Sequence, residues 1–169
     1  MKIILDKYQL QITIERLAYQ LIENYSDLSS VVIIGIQPRG IYLSDKIFEQ
    51  LNKISPGNSL QYGKMDITFY RDDIRSELHQ PNQTNISFSV EEKNVILIDD
   101  VLYTGRTIRA ALDALLAFGR PKKVELCVLI NRRYSRQLPI QPDYCGKSID
   151  SIISQKVKVL WDKEEVVLY

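Results

Sequence analysis

The feature that most restricts the fold of this chain is a strand, a turn and the start of a helix packed into one short run. Four apolar residues, Val95, Ile96, Leu97 and Ile98, lead into two carboxylates, Asp99 and Asp100. The run then passes through Val101, Leu102 and Tyr103 to Thr104, Gly105, Arg106 and Thr107. A continuous apolar run of this length has the pattern of a strand buried on both faces of a parallel sheet. Beyond the turn, Ile108, Ala111, Leu112, Leu115 and Leu116 recur at helical spacing and predict one apolar face. The turn is then a helix N-terminus. Its unpaired backbone N–H groups, two hydroxyls and a glycine that lets a ligand approach the backbone form a cradle for a phosphate. The carboxylates fall where the strand is expected to leave the core. Ionised, they only accept hydrogen bonds, and the adjacent hydroxyls of a ribose are matching donors. A helix cap beside a solvated acidic turn is the plainer account of the same residues. The full combination is more specific than any of its parts.

The rest of the chain repeats the alternation. Asp6, with Gln9 three residues on, predicts a capped helix whose apolar face is Leu10, Ile14, Leu17, Ala18, Leu21 and Ile22. A buried strand is expected over 31–34, ending at Gly35. After Arg39 and Gly40, a second helix is marked by Leu43, Ile47, Phe48 and Leu51 and closed by the turn-rich 55–58. A strand is expected over 61–70. The polar stretch 72–89, which holds His79 and Pro81, reads as a mobile loop or short hairpin. Gly119 and Pro121 end the helix after the signature run. A strand follows over 124–130, then a basic segment over 131–142, and 156–169 reads as a terminal hairpin. With no repeat or linker, this predicts one α/β domain over 1–169. Its expected architecture is a doubly wound, mostly parallel sheet with a flexible hood loop, a C-terminal β-hairpin and ligand loops at the strand C-terminal ends. The loops after Ile34 and Ile98 fit that rule.

Composition removes other classes. At 169 residues, one domain can bury roughly 70% of its unfolded surface. The formal net charge of +1 gives no global pull toward nucleic acid or membrane. Cys127 and Cys145 have no metal spacing and are expected to be reduced thiols of a cytoplasmic protein. The start lacks an apolar stretch suited to a signal peptide, and no run approaches a membrane span. His79, the single histidine, is expected at the surface, and no ligand cluster suggests zinc. A phosphorylation receiver domain shares the alternation but needs acids after its first strand. Here Gly35, Ile36, Gln37, Pro38, Arg39 and Gly40 occupy that place.

The run from Val95 to Thr107 resembles the phosphoribosyl-pyrophosphate (PRPP) signature of type I phosphoribosyltransferases. The wider chain resembles one branch, the pyrimidine-operon attenuation regulator/uracil phosphoribosyltransferase (PyrR) family. The further segments that carry this are 35–43, 66–73, 99–121 and 138–147. The resemblance implies transfer of phosphoribose from PRPP to uracil, giving UMP and pyrophosphate, with Mg²⁺ as cofactor. It implies PRPP binding by all thirteen residues of the signature, Val95 to Thr107. Pyrophosphate is expected at Pro38, Arg39, Gly40 and Arg71, and the base at Ile130, Asn131 and Arg132. Asp99, Asp100, Arg39 and Arg71 are the expected catalytic residues, with Asp99 and Asp100 also meeting the metal, through water in one arrangement. Many purine-specific branches carry Asp where this chain has Tyr103, which weighs against a purine base. Two departures stand out: Pro38 replaces a small polar residue, and 131–137 is one residue longer and differs in sequence.

The resemblance also implies a homodimer or higher homo-oligomer, and RNA binding as an alternative function. RNA demands neutralisation of phosphates. The first helix instead displays Gln11, Glu15, Tyr19, Gln20, Glu23 and Asn24, with Arg16 its one interior cation. Arg120, Lys122, Lys123, Arg132, Arg133 and Arg136 offer a second basic patch, or a solvated rim for anionic substrates.

Overall fold

A computed structural model describes residues 1–72 and 83–169. Its centre is a five-stranded sheet in the order β3-β2-β4-β5-β6, formed by β2 (Val31–Ile36), β3 (Gln61–Met65), β4 (Asn94–Leu102), β5 (Lys123–Arg133) and β6 (Tyr144–Asp150). Every pairing in it is parallel. Parallel neighbours need crossovers, and these supply helices to both faces. Helix α1 (Lys7–Asn24) and helix α2 (Gly40–Ile54) cover one face, packing Leu17, Leu43 and Ile47 against Ile33, Ile96, Ile98 and Leu129. Helix α3 (Arg106–Leu115) covers the other, with Ile108, Ala111 and Leu115 against Val32, Ile34, Val95, Leu97 and Val128. Even and odd positions of β4 therefore serve two cores, which is why its sequence is apolar without alternation.

Asp6 caps α1 as expected: its carboxylate accepts the Gln9 N–H at 2.8 Å, and the Gln9 side chain accepts the Asp6 N–H at 3.1 Å. The terminal hairpin is also present, as β7 (Val157–Leu160) and β8 (Glu165–Leu168). It joins β1 (Lys2–Leu5) in a separate three-stranded antiparallel sheet, β1-β8-β7.

Several expectations change. Strand β4 does not end before the acids but continues through them to Leu102, so both carboxylates lie inside the sheet. The strand expected over 61–70 stops at Met65, and residues 68–70 form a 3-10 turn. Strand β5 extends to Arg133, and β6 occupies a stretch for which no strand was expected. On α3, Leu112 and Leu116 are exposed because Ala110 and Ala114 take the buried side of the helix. Most of the hood expected after Arg71 falls in residues 73–82, with His79 and Pro81, and lies outside the described residues. Beyond it the chain returns to the β3 edge, where Lys64 and Asn85 exchange backbone hydrogen bonds of 3.0 and 2.8 Å. No helix among the described residues is long and apolar enough to cross a membrane.

Candidate functional site

The site forms at the C-terminal ends of β2 and β4. Val95, Ile96, Leu97 and Ile98 are fully buried and hold Asp99 and Asp100 from beneath. Asp99 accepts the Asp100 N–H at 2.9 Å. The first residue of α2, Gly40, packs directly on this pair: a Cβ there would lie 2.5 Å from the Ile98 carbonyl oxygen and 3.2 Å from Asp99 Oδ1. Only glycine lets α2 start so close to the acids.

The Asp99 carboxyl is pushed well above the usual carboxylate range, first by burial and then by the Asp100 charge, against the pull of Arg71 and Arg39. Burial also raises Asp100, with the Arg39 guanidinium opposing it. Two buried like charges with cations on one side form a site that gains when a donor or cation arrives. One carboxylate oxygen, Asp100 Oδ2, is buried without a hydrogen-bond partner. Mg²⁺ takes one or two carboxylates and completes its shell with water and phosphate oxygens. The orphaned oxygen and the acidic pair fit it on those terms, and no cluster of three acidic, histidine or cysteine ligands occurs among the described residues.

Past Leu102 the chain turns through Tyr103, Thr104 and Gly105. Gly105 adopts the left-handed conformation at φ 93° and precedes α3 with no side-chain cap. Arg106 N–H reaches Thr104 Oγ1 at a long 3.4 Å, so the first turn of α3 presents its N–H groups outward. The turn is braced from behind. Gln137 and Leu138 donate their backbone N–H groups to the Thr104 carbonyl at 3.0 and 3.3 Å, and Arg106 Nε donates to Gln137 Oε1 at 2.7 Å. Ile140 and Leu138 pack against the Gly105 Cα. The brace at 137–140 carries no polar motif, and only its leucine-proline-isoleucine resemblance marked it in the sequence. Between Asp99 and the turn lies a cavity of about 330 Å³, lined also by Arg71 and Tyr103.

Pro38, Arg39, Ile130, Asn131 and Arg132 do not line this cavity and lie at neighbouring strand and loop ends. Pro38 and Arg39 are exposed beside α2, and the Gln37–Pro38 peptide is cis. The Arg39 guanidinium pulls both carboxyls down, so its charge acts within electrostatic reach of them. Ile130, Asn131 and Arg132 form the end of β5, next to β4 and paired with β6. Arg132 is buried, with its guanidinium 4.1 Å from the centre of the Tyr103 ring. Asn131 accepts from Arg136 at 2.5 Å and donates to Ser148 at 3.2 Å.

The basic residues considered as a second patch do not form one. Arg120, Lys122 and Lys123 flank the start of β5, and Arg132, Arg133 and Arg136 its end; the rise of a strand separates the two groups by roughly 33 Å. Arg133 is paired with Asp150 at 2.7 and 2.9 Å, and Lys123 with Glu125 at 2.6 Å. Arg16 of α1 donates to the Gly146 carbonyl at 2.6 Å and to that of Cys145 at 3.2 Å. Cys127 and Cys145 are free thiols on adjacent strands, and burial pushes the Cys127 thiol up.

The model of the phosphoribosyl transferase domain family matches residues 1–164. A protein from Mannheimia succiniciproducens named bifunctional protein PyrR is 47% identical over 163 residues, covering 94% of this chain and 90% of its own length. One of the same name from Elusimicrobium minutum is 42% identical over 160 residues, covering 94% and 88%. Among solved structures, the hypoxanthine phosphoribosyltransferase of Trypanosoma cruzi superposes with a TM-score of 0.76 at 15% identity, covering 99% of this chain and 95% of that one. A hypoxanthine phosphoribosyltransferase from Staphylococcus aureus gives 0.70 at 22% identity, covering 88% and 77%. At those identities the superpositions speak for the fold alone.

Proposed function

The chain belongs to the phosphoribosyl transferase family, in its PyrR branch, and we propose that it transfers phosphoribose from PRPP to uracil, yielding UMP and pyrophosphate. The observation that carries this is one cavity of about 330 Å³ that joins Asp99 and Arg71 to the open N-terminus of α3, with the buried Asp100 next to Asp99 in the strand. In this reading the 5′-phosphate takes the N–H groups and hydroxyls from Thr104 to Thr107. The ribose hydroxyls donate to Asp99 and Asp100. Pyrophosphate leaves toward Arg39 and Arg71, with Pro38 and Gly40 shaping the backbone there. Breaking the bond at C1′ develops positive charge on the sugar, as in glycoside cleavage, and the nearby carboxylates oppose that charge electrostatically. A ring nitrogen of the base attacks, so no side-chain nucleophile is required.

Mg²⁺, held by Asp99 and Asp100 directly or through water, neutralises phosphate oxygens when bound. The base lies beside Tyr103 at the end of β5, at Ile130, Asn131 and Arg132. A homo-oligomer in the cytoplasm completes the reading, with RNA binding weak because α1 lacks a free basic face. The test is pyrophosphate release from PRPP and Mg²⁺ with uracil, orotate, hypoxanthine and guanine side by side. Uracil should give the highest kcat/KM; a preference for either purine would remove the pyrimidine assignment.

A further inference from the structure

Tyr103 stands one residue past Leu102, the last residue of β4 that pairs with β5. The sheet ladder therefore does not fix its ring, yet Tyr103 is one of the residues that line the cavity. Two arginines fix it instead. Arg136 donates to the Tyr103 carbonyl and, at 2.5 Å, to Asn131 Oδ1. Arg132 places its guanidinium carbon over the ring, 4.1 Å from the centroid.

The surroundings of Arg132 are unusual for a guanidinium that is 5% exposed. Its hydrogen-bond partners among the described residues are neutral: Nε donates to Ser151 Oγ at 2.8 Å, and Nη2 donates to the carbonyls of Gln155 and Ile152 at 2.9 and 3.2 Å. Burying a charge without a carboxylate is costly, and an apolar residue of similar length would fill the space more cheaply. What a guanidinium adds is a rigid plane, held at its edge by three acceptors and offering its face to an aromatic ring. The segment 151–155 thus orients Arg132, and Arg132 orients Tyr103.

We propose that Arg132 is a positioning residue that sets base selectivity by holding the Tyr103 ring against the cavity, so that the site accepts a pyrimidine and crowds out a purine. This rests on the phosphoribosyltransferase reading above. It needs no turnover to be tested, because the monophosphate products carry the same two ring sizes. UMP and IMP are titrated calorimetrically into the wild type, Arg132→Lys, Tyr103→Leu and the double variant, each checked for folding by its thermal melt. Lys keeps a charge but loses the plane. Leu keeps all three anchors of Arg132 and serves if the Arg132 variant does not fold.

Each single variant should lower the preference for UMP over IMP by about tenfold, and the double variant should lower it no further, as expected when two residues act as one unit. An unchanged preference in either single variant, or a double variant whose loss is the product of the two, would overturn the proposal. So would a wild type that binds both nucleotides equally or neither measurably. A wild type that prefers IMP would overturn the uracil reading instead, with the clamp then judged by whether that preference moves in the variants.

Discussion

Asp72 and Arg106 form an ion pair of 2.9 Å, and the same Asp72 oxygen lies 3.0 Å from Arg109. The residue after Arg71 is thereby tied to the first turn of α3, where its negative charge offsets two guanidiniums beside the phosphate cradle. All three side chains are more than a third exposed or close to it, so the pair contributes little to stability, on the order of 1 kcal/mol or less. Its effect on the local potential is larger than its effect on folding. Asp72→Asn should lower the KM for PRPP severalfold at low ionic strength, with the gain fading as salt screens it. Steady-state kinetics at two salt concentrations measure this; an increased KM in both would mean that the pair positions Arg106 productively.

Asp99→Asn with Asp100→Asn removes the ionised acceptors and keeps the shape of the pair. Pyrophosphate release should fall at least about a hundredfold, corresponding to about 2.7 kcal/mol of barrier. The same variant should melt at a higher temperature, because two buried carboxylates that resist ionisation are replaced by neutral amides. A variant that keeps its activity, or that melts lower, contradicts the electrostatic account of the site.

What could be read directly from the chain was local. The capping box of Asp6 and Gln9 lies within one turn of helix, and the cradle from Thr104 to Thr107 follows its strand without interruption, so neighbouring residues suffice to define both. The acids were assigned to the strand end because carboxylates rarely sit inside a sheet. Their place within β4 comes from the ladder to β5, which pairs Asp99 with Val128 and Val101 with Ile130, residues distant in the chain. Strand β6 carries Gly146 and Lys147 and shows no clean alternation; it exists through its pairing with β5. Helical spacing groups Leu112 and Leu116 with Ile108 and Leu115, but the helix ends at Leu115, Leu116 falls in the 3-10 turn after it, and the small Ala110 and Ala114 take the side packed on the sheet. The brace at 137–140 is marked only by its leucine-proline-isoleucine resemblance, because two of its contacts are backbone N–H groups that any residue could supply.

At the other end of the sheet, Glu125 accepts hydrogen bonds from Tyr25 at 2.5 Å and Tyr144 at 3.2 Å and is paired with Lys123. Burial raises its carboxyl, but Lys123, Tyr25 and Tyr144 outweigh that and hold it below the ordinary value. A carboxyl lowered in the folded state contributes stability that is complete above the unfolded value, about 4.3, and is lost as pH falls through the folded one. Glu125→Gln should therefore be less stable than the wild type near neutrality, with a shallower loss of stability below pH about 4.3. Urea titrations at a series of acidic pH values give the slope; identical slopes would show that Glu125 titrates alike in both states.

RNA binding can be separated from catalysis by salt. Each phosphate contact steepens the fall of affinity with rising salt, and the exposed face of α1 carries Glu15 and Glu23 while Arg16 is occupied by backbone carbonyls. With UMP present at moderate salt, a pyrimidine-operon leader hairpin should bind no better than a scrambled hairpin of equal length. A competition titration decides it: preference for the leader by about tenfold, or 1.4 kcal/mol, would mean that another surface reads RNA.

The small sheet carries a consequence for how the chain is made. Among the described residues strand β1 pairs with β8 and with no other strand, so residues 2–5 have no strand partner until residues 165–168 have been synthesised. The parallel sheet can assemble earlier, from segments already released. Closure of the three-stranded sheet is then a late docking of the two ends of the fold, made over the largest sequence separation in the molecule and slow for that reason. During synthesis the Ile3 and Ile4 edge stays open to water and to neighbouring chains until β8 is made, so a segment made early is protected late.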